Sequence, residues 1–131
     1  MDDETLWAGF VAATLPQSAF THESHLRIAF LHLQKFSLDE AHIRMRAGIF
    51  RLNAAHGLVE SVERGYHETM TRFWLCAVKR ACSGEPDSQT FCRLHPQLHD
   101  RELPFANYSR ERLLSPEARA RFVEPDLAPL A

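Results

Sequence analysis

Ser37 separates two segments that both carry helical periodicity, and no other residue lies between them. Ser37 and Glu40 form a Ser-x-x-Glu capping box. The residues before Ser37, from an N-cap at Thr21 to Phe36, repeat apolar positions at helical spacing, as do those after it, from Leu38 to His56. Two helices joined so tightly have one economical arrangement, an antiparallel hairpin. Gly57 then stands where a helix C-terminus favours a left-handed residue.

The rest of the chain is punctuated in the same way. Leu6, Trp7, Phe10 and Val11 mark a first helix over Asp3 to Leu15, closed by Pro16. Leu58 to Gly65 is a connection. A fourth helix runs from about Tyr66 to Ala81, and a short one is expected over Ser88 to Leu94, stopped before Pro96. Ser115 followed by Pro116 starts a brief last helix, and the tail from Glu124, with two prolines, is extended. No stretch alternates with period two for long enough to make a strand. The expectation is one all-α domain over 1–131, a bundle of four main helices plus a short C-terminal helix.

Bulk properties narrow the function. A formal net charge of -2 gives no electrostatic reason to expect nucleic acid or an anionic membrane. Arg27, Gln34 and Lys35 interrupt the best candidate for a membrane span. The start Met1-Asp2-Asp3-Glu4 is unlike a secretory signal. Cys76, Cys82 and Cys92 are odd in number and lack Cys-x-x-Cys spacing, so they read as reduced thiols in a cytoplasmic protein.

Placed on helical wheels, the second helix turns Glu23, Arg27 and Gln34 to water and His22, His25, Ala29, His32 and Phe36 inward. The third buries Leu38, Ala41, Met45, Ile49 and Leu52, with His42 at the border of the stripe and Gly48 mid-helix at a cost of about 1 kcal/mol against Ala. On the fourth, Glu68, Arg72 and Lys79 share the wet side, Glu68 and Arg72 as an i,i+4 ion pair, and His67 points inward with Met70 and Trp74. His95 and His99 fall in a polar connection and are expected to be exposed.

An inward imidazole must find a hydrogen-bond partner or lose roughly 1–3 kcal/mol. If the helix ends meet, His22, His25 and His67 could converge as ligands for a transition metal (Zn, Fe, Ni or Cu), with Glu23, Thr21 or Tyr66 as acceptors behind them. The same residues also suit a metal-free pocket for a small molecule, lined in addition by Tyr66 and Glu68. They suit equally a core in which each histidine is capped separately. The spacing His22-Glu23-Ser24-His25 is one residue short of the zincin motif.

Two segments, Phe20-Thr21-His22-Glu23-Ser24-His25-Leu26 and Gly65-Tyr66-His67-Glu68-Thr69-Met70-Thr71-Arg72-Phe73-Trp74, together with Tyr108-Ser109-Arg110 and Ser115 to Leu127, carry a resemblance. On these residues the chain resembles a family of small, uncharacterised bacterial helical proteins, over about Phe20 to Leu130. The resemblance implies a bacterial source and a stand-alone domain, and it brings no catalytic role. It does place His22, His25, His67 and Glu68 inside recognisable segments. That conflicts with the outward wheel position of Glu68, unless the fourth helix starts later or enters irregularly.

The sequence therefore points to a histidine-lined inter-helix site for a transition metal or small molecule. The alternative is an interaction module without chemistry, a homodimer included, using Ile43 and Phe50, which lie off the stripe of the third helix.

Overall fold

Every α-helix of this chain begins with a side chain that accepts the backbone N–H three residues on. The computed structural model describes residues 1–130. Within them α1 is Asp3–Val11, α2 His22–Lys35, α3 Leu38–Ala55, α4 Glu68–Ala81, α5 Ser88–Leu94, α6 Arg110–Leu113 and α7 Pro116–Ala120. The caps are Asp2, Thr21, Ser37, His67, Asp87, Ser109 and Ser115 in that order. Each satisfies a donor that the first helical turn leaves unpaired, typically worth about 1 kcal/mol. Short 3₁₀ turns occupy Gln17–Ala19, Pro96–His99 and Leu103–Ala106, and there is no strand among the described residues. No described helix is long and apolar enough to cross a membrane.

The helix ends are equally local. At the end of α3, Leu58 N–H bonds Asn53 O at 2.9 Å and Gly57 N–H bonds Ala54 O at 3.0 Å, with Gly57 at φ 76. This is the six-to-one, five-to-two closure that a left-handed residue makes possible. The same closure ends α1 earlier than its apolar spacing suggests. Ala13 takes φ 57, and Thr14 and Leu15 fold back onto Gly9 O. Leu15 is thereby buried against the core without belonging to the helix.

Helix α2 is the centre of the molecule. It packs against α1, α3, α4 and α5, and every residue from Leu26 to His32 is buried. Over those two turns the helix has no wet side, whereas Glu23 and Gln34 toward its ends are exposed as the wheel expects. That corrects the expectation for Arg27, whose guanidinium is enclosed by the N-terminus and by α5. Its Nε donates to Ser88 Oγ at 2.7 Å, and its Nη2 donates to Met1 O at 2.8 Å and Asp3 Oδ1 at 3.1 Å. The other face of α2 buries His32, whose Nδ1 donates to Ile28 O at 2.8 Å between the rings of Trp7 and Phe10. Phe10 also accounts for Gly48, because any Cβ there would overlap its ring.

The C-terminal segment wraps back over α4. Tyr108, fully buried, donates its hydroxyl to Val123 O at 2.7 Å. Thr69 Oγ1 donates to Arg121 O at 3.0 Å and accepts from Val123 N–H at 3.1 Å. Asn107 holds residues 127–129 through its carbonyl and side-chain amide. The extended tail is thus laid along the wall that α3 and α4 share.

Candidate functional site

The helix α4 starts at Glu68, two residues later than its apolar spacing suggests, because His67 has extended backbone (φ -128, ψ 108) and serves as the N-cap. Glu68 is the first residue of the helix, and with Arg72 one turn on it lies on the side that faces α3. There it meets His42 and Arg46, which stand one turn apart on α3. Arg46 grips the carboxylate with two bonds, Nε to Oε1 at 3.0 Å and Nη2 to Oε2 at 2.6 Å. Tyr66 donates its hydroxyl to Oε1 at 2.5 Å, and His42 Nε2 donates to the same oxygen at 3.1 Å. Glu68 is therefore not on the wet side, and Arg72 pairs with Asp39 at 3.0 Å instead.

The electrostatics follow from these contacts. Burial pushes the Glu68 carboxyl up, but the Arg46 guanidinium, the Tyr66 hydroxyl and His42 outweigh it and hold the group below the usual carboxylate range. Burial lowers His42, and Arg46 and Arg72 lower it further; Glu68 opposes them and does not prevail. His42 is thus neutral at neutral pH, with its proton on Nε2. Its Nδ1 carries the lone pair and lies 3.4 Å from Arg72 Nη1. Burial and the Glu68 carboxylate both push the Tyr66 phenol well up, so it stays a donor.

This cluster is not sealed. A cleft of about 520 Å3 opens over it, walled by Asp39, His42, Arg46, Glu68, Arg72 and Cys76 on the helices and by Phe122, Pro125 and Leu130 of the tail. A second cleft of about 710 Å3 lies on the other side of Arg46 and Glu68, between Phe50, Tyr66 and Arg119. Chemically, the first cleft offers a neutral imidazole oriented by a carboxylate, whose other nitrogen accepts a hydrogen bond from a guanidinium. A base positioned by a second group and a cation for developing negative charge are the parts of an acid–base site.

Of the residues that the sequence singles out, the structure brings Tyr66 and Glu68 together. It gives His22, His25 and His67 separate partners. His22 Nε2 donates to Leu98 O at 2.9 Å, with its ring edge-on to Trp74. His25 Nδ1 donates to Thr21 O at 2.8 Å, and its ring stacks on Phe20 at 4.0 Å. His67 uses both nitrogens: Nδ1 accepts from Met70 N–H at 3.1 Å and Nε2 donates to Leu113 O at 2.9 Å. Burial lowers all three, so each is a neutral donor. They do not meet as one ligand set among the described residues.

Two site residues, His42 and Arg46, escape the sequence reading. Their signal is a pair of polar residues at i and i+4 beside a buried stripe, which on most helices marks only the edge of the wet face. His95 also departs from expectation. It is half-buried, with Nε2 donating to the buried carboxylate of Glu85 at 2.9 Å. Ile43 and Phe50 are exposed at 52% and 42%, and Phe50 lies against the Tyr66 ring. Comparison with protein-family models, curated proteins and solved structures finds no match to this chain.

Proposed function

We propose that the cleft over His42 binds a small polar molecule carrying a carboxylate or similar anion, and that His42 exchanges a proton with it. In this reading Glu68 fixes the tautomer and orientation of the imidazole, and Nδ1 becomes the basic atom once Arg72 Nη1, which donates to it at 3.4 Å, turns to the ligand. Arg72 exchanges its exposed partner Asp39 for the ligand's anion. Arg46 and Tyr66 hold Glu68 in place and do not touch the ligand. The observation that carries the reading is the environment of His42. It is a buried, neutral imidazole bonded to a carboxylate, standing at the wall of an open cleft beside a guanidinium. A purely structural network has no need of the cleft, and pockets with a few convergent polar groups are the usual place for ligands.

The same proposal takes the chain to be a bacterial, cytoplasmic protein whose frame is a bundle of α1 to α4. The family resemblance and the free thiols of Cys76, Cys82 and Cys92 support that part. Of the two ligand classes that the sequence suggests for a histidine-lined site, the small molecule is favoured in this cleft.

Ligand-observed NMR with a panel of small mono- and dicarboxylic acids, each paired with its neutral amide, tests the reading. The acids should bind in competition with one another, shift the His42 ring resonances, and lose affinity in Arg72→Met. The amides and the His25→Ala variant serve as controls. Acids that bind equally well to Arg72→Met and His42→Gln would place the ligand elsewhere and refute the assignment.

A further inference from the structure

On the far side of α2 from α3, a thiol, an imidazole and a carboxylate converge from three elements. Glu23 comes from the first turn of α2, Cys92 from α5 and His99 from the end of the 96–99 turn, and one ligand atom of each lies within 4.8 Å of the other two. These residues share nothing with the His42 cleft. Their frame is well fixed. α2 and α5 both pack on the 96–99 turn, and His22 Nε2 holds that turn to α2 through Leu98 O at 2.9 Å.

The protons matter more than the proximity. His99 Nε2 donates to Cys92 O at 3.3 Å, which commits its N–H and leaves the lone pair on Nδ1. That nitrogen faces Glu23 Oε1 at 3.8 Å, too far for a hydrogen bond between them. Two electron-rich atoms so placed leave room for a cation. A metal with bonds of about 2.0–2.2 Å to nitrogen and oxygen spans such a gap with a wide but ordinary bond angle, after a small closing movement of the exposed glutamate. The buried sulfur of Cys92 supplies the third and softest donor.

We propose that Glu23, Cys92 and His99 bind a divalent transition metal of the zinc type, with the fourth position of the tetrahedron left to solvent or a ligand. Cysteine, histidine and a carboxylate together suit zinc and its borderline-soft neighbours, and suit magnesium or calcium poorly. Burial, and the Glu23 carboxylate beside it, hold the Cys92 thiol up at about 11, so the metal-free group is an inert thiol whose proton is released to solvent when the metal takes the sulfur. His22 is then a positioning residue, since its bond to Leu98 O sets where His99 stands. The sequence flags His22 and Glu23 for a metal centre, but the ligand partners lie in segments some seventy residues further on.

The test uses the full chain, purified without a histidine tag and stripped with a chelator. Zinc should bind in equimolar amount against a chromophoric chelator, and cobalt(II) should give the intense near-ultraviolet band of a cobalt–thiolate bond. Cys92→Ala should abolish that band, whereas Cys76→Ser and Cys82→Ser should keep it. His99→Ala and Glu23→Gln alter surface side chains and should leave the helical circular dichroism intact while weakening zinc by about tenfold or more. The proposal is overturned if zinc does not bind, if cobalt binds without a thiolate band, or if zinc affinity is unchanged in folded His99→Ala. The last two outcomes would place the metal on other histidines, and the first would reduce the trio to a loose histidine–carboxylate contact.

Discussion

Arg46→Met isolates what the Glu68 network contributes. The substitution keeps the apolar stem and removes both charge-assisted bonds to the carboxylate. For a fully exposed pair the loss would be no more than about 1 kcal/mol, and for a fully buried one about 3–5 kcal/mol. The Glu68 side chain is 15% exposed and the Arg46 side chain 39%, so the pair belongs between these limits. Glu68 keeps Tyr66 and His42 as donors, which argues for the lower half of the range. A loss of about 2 kcal/mol at neutral pH is expected. Its pH dependence is the stricter test. With Arg46 in place the folded-state pKa of Glu68 is depressed, so the stabilisation is present above the unfolded value and is lost as pH falls through the folded one. Without Arg46 the desolvation that is now outweighed should prevail, and the carboxyl should move above its ordinary value. Urea unfolding, followed by the fluorescence of Trp7 and Trp74, should therefore show the two proteins converging as pH falls from the raised folded pKa of the variant through the depressed one of the native protein, a window that brackets the free-glutamate value of about 4.3. Arg46→Lys, with the charge but not the two-pronged grip, should recover only part of the loss. A variant as stable as the native protein at neutral pH, or a difference that stays constant into acid, would refute the account of Glu68 as the ionised centre of the site.

Three further outcomes are expected. By NMR titration, Glu68→Gln should lower the pKa of His42 and Arg72→Met should raise it, because the carboxylate favours the imidazolium and the guanidinium opposes it; shifts of the same sign in both variants would count against the arrangement. His32, 2% exposed and lowered to about 4 by burial, favours the fold above the unfolded value near 6.5 and loses that contribution as pH falls toward 4. At about 1.4 kcal/mol per pH unit this is roughly 3 kcal/mol at most, and His32→Phe should flatten that part of the stability curve measured by denaturant unfolding. Gly48→Ala gains about 1 kcal/mol of helix propensity, yet it should destabilise on balance by roughly 1–2 kcal/mol through overlap with Phe10, and the melting temperature should recover in the double variant with Phe10→Leu.

The helix boundaries are legible in the sequence because their causes are local. Thr21, Ser37 and Ser115 cap the helices that their sequence positions announce, and Gly57 closes α3. The candidate site is hidden because a wheel gives the side that Glu68 and Arg72 share but not the element that covers it, and because the cap of α4 is a histidine in a role usually filled by Ser, Thr, Asp or Asn. His67 caps α4 and moves its start to Glu68, while α3 and the tail cover the side that Glu68 and Arg72 share. The burial of Arg27 is hidden for another reason. A wheel with a wet side presumes a surface helix, whereas α2 is enclosed by α1, α3, α4 and α5.

The histidines show most clearly where periodicity stops being informative. Inward direction is readable for His22, His25, His32 and His67, but partners are set by segments that the wheel does not contain. Six of the eight histidines direct a ring nitrogen to a backbone carbonyl: Leu98, Thr21, Ile28, Leu15, Leu113 and Cys92. Several of these carbonyls lie in loops, 3₁₀ turns or last helical turns, where the backbone has no acceptor–donor ladder of its own. A chain with many short helices has many such carbonyls, and a neutral imidazole delivers a donor to them without burying a charge. Inward histidines here are therefore weak evidence of a ligand. The two that remain, His42 and His95, bond carboxylates instead. His42 also has a cation at its other nitrogen and a cleft in front of it, so the partners of the ring, rather than its burial, are what mark it out for the test proposed above.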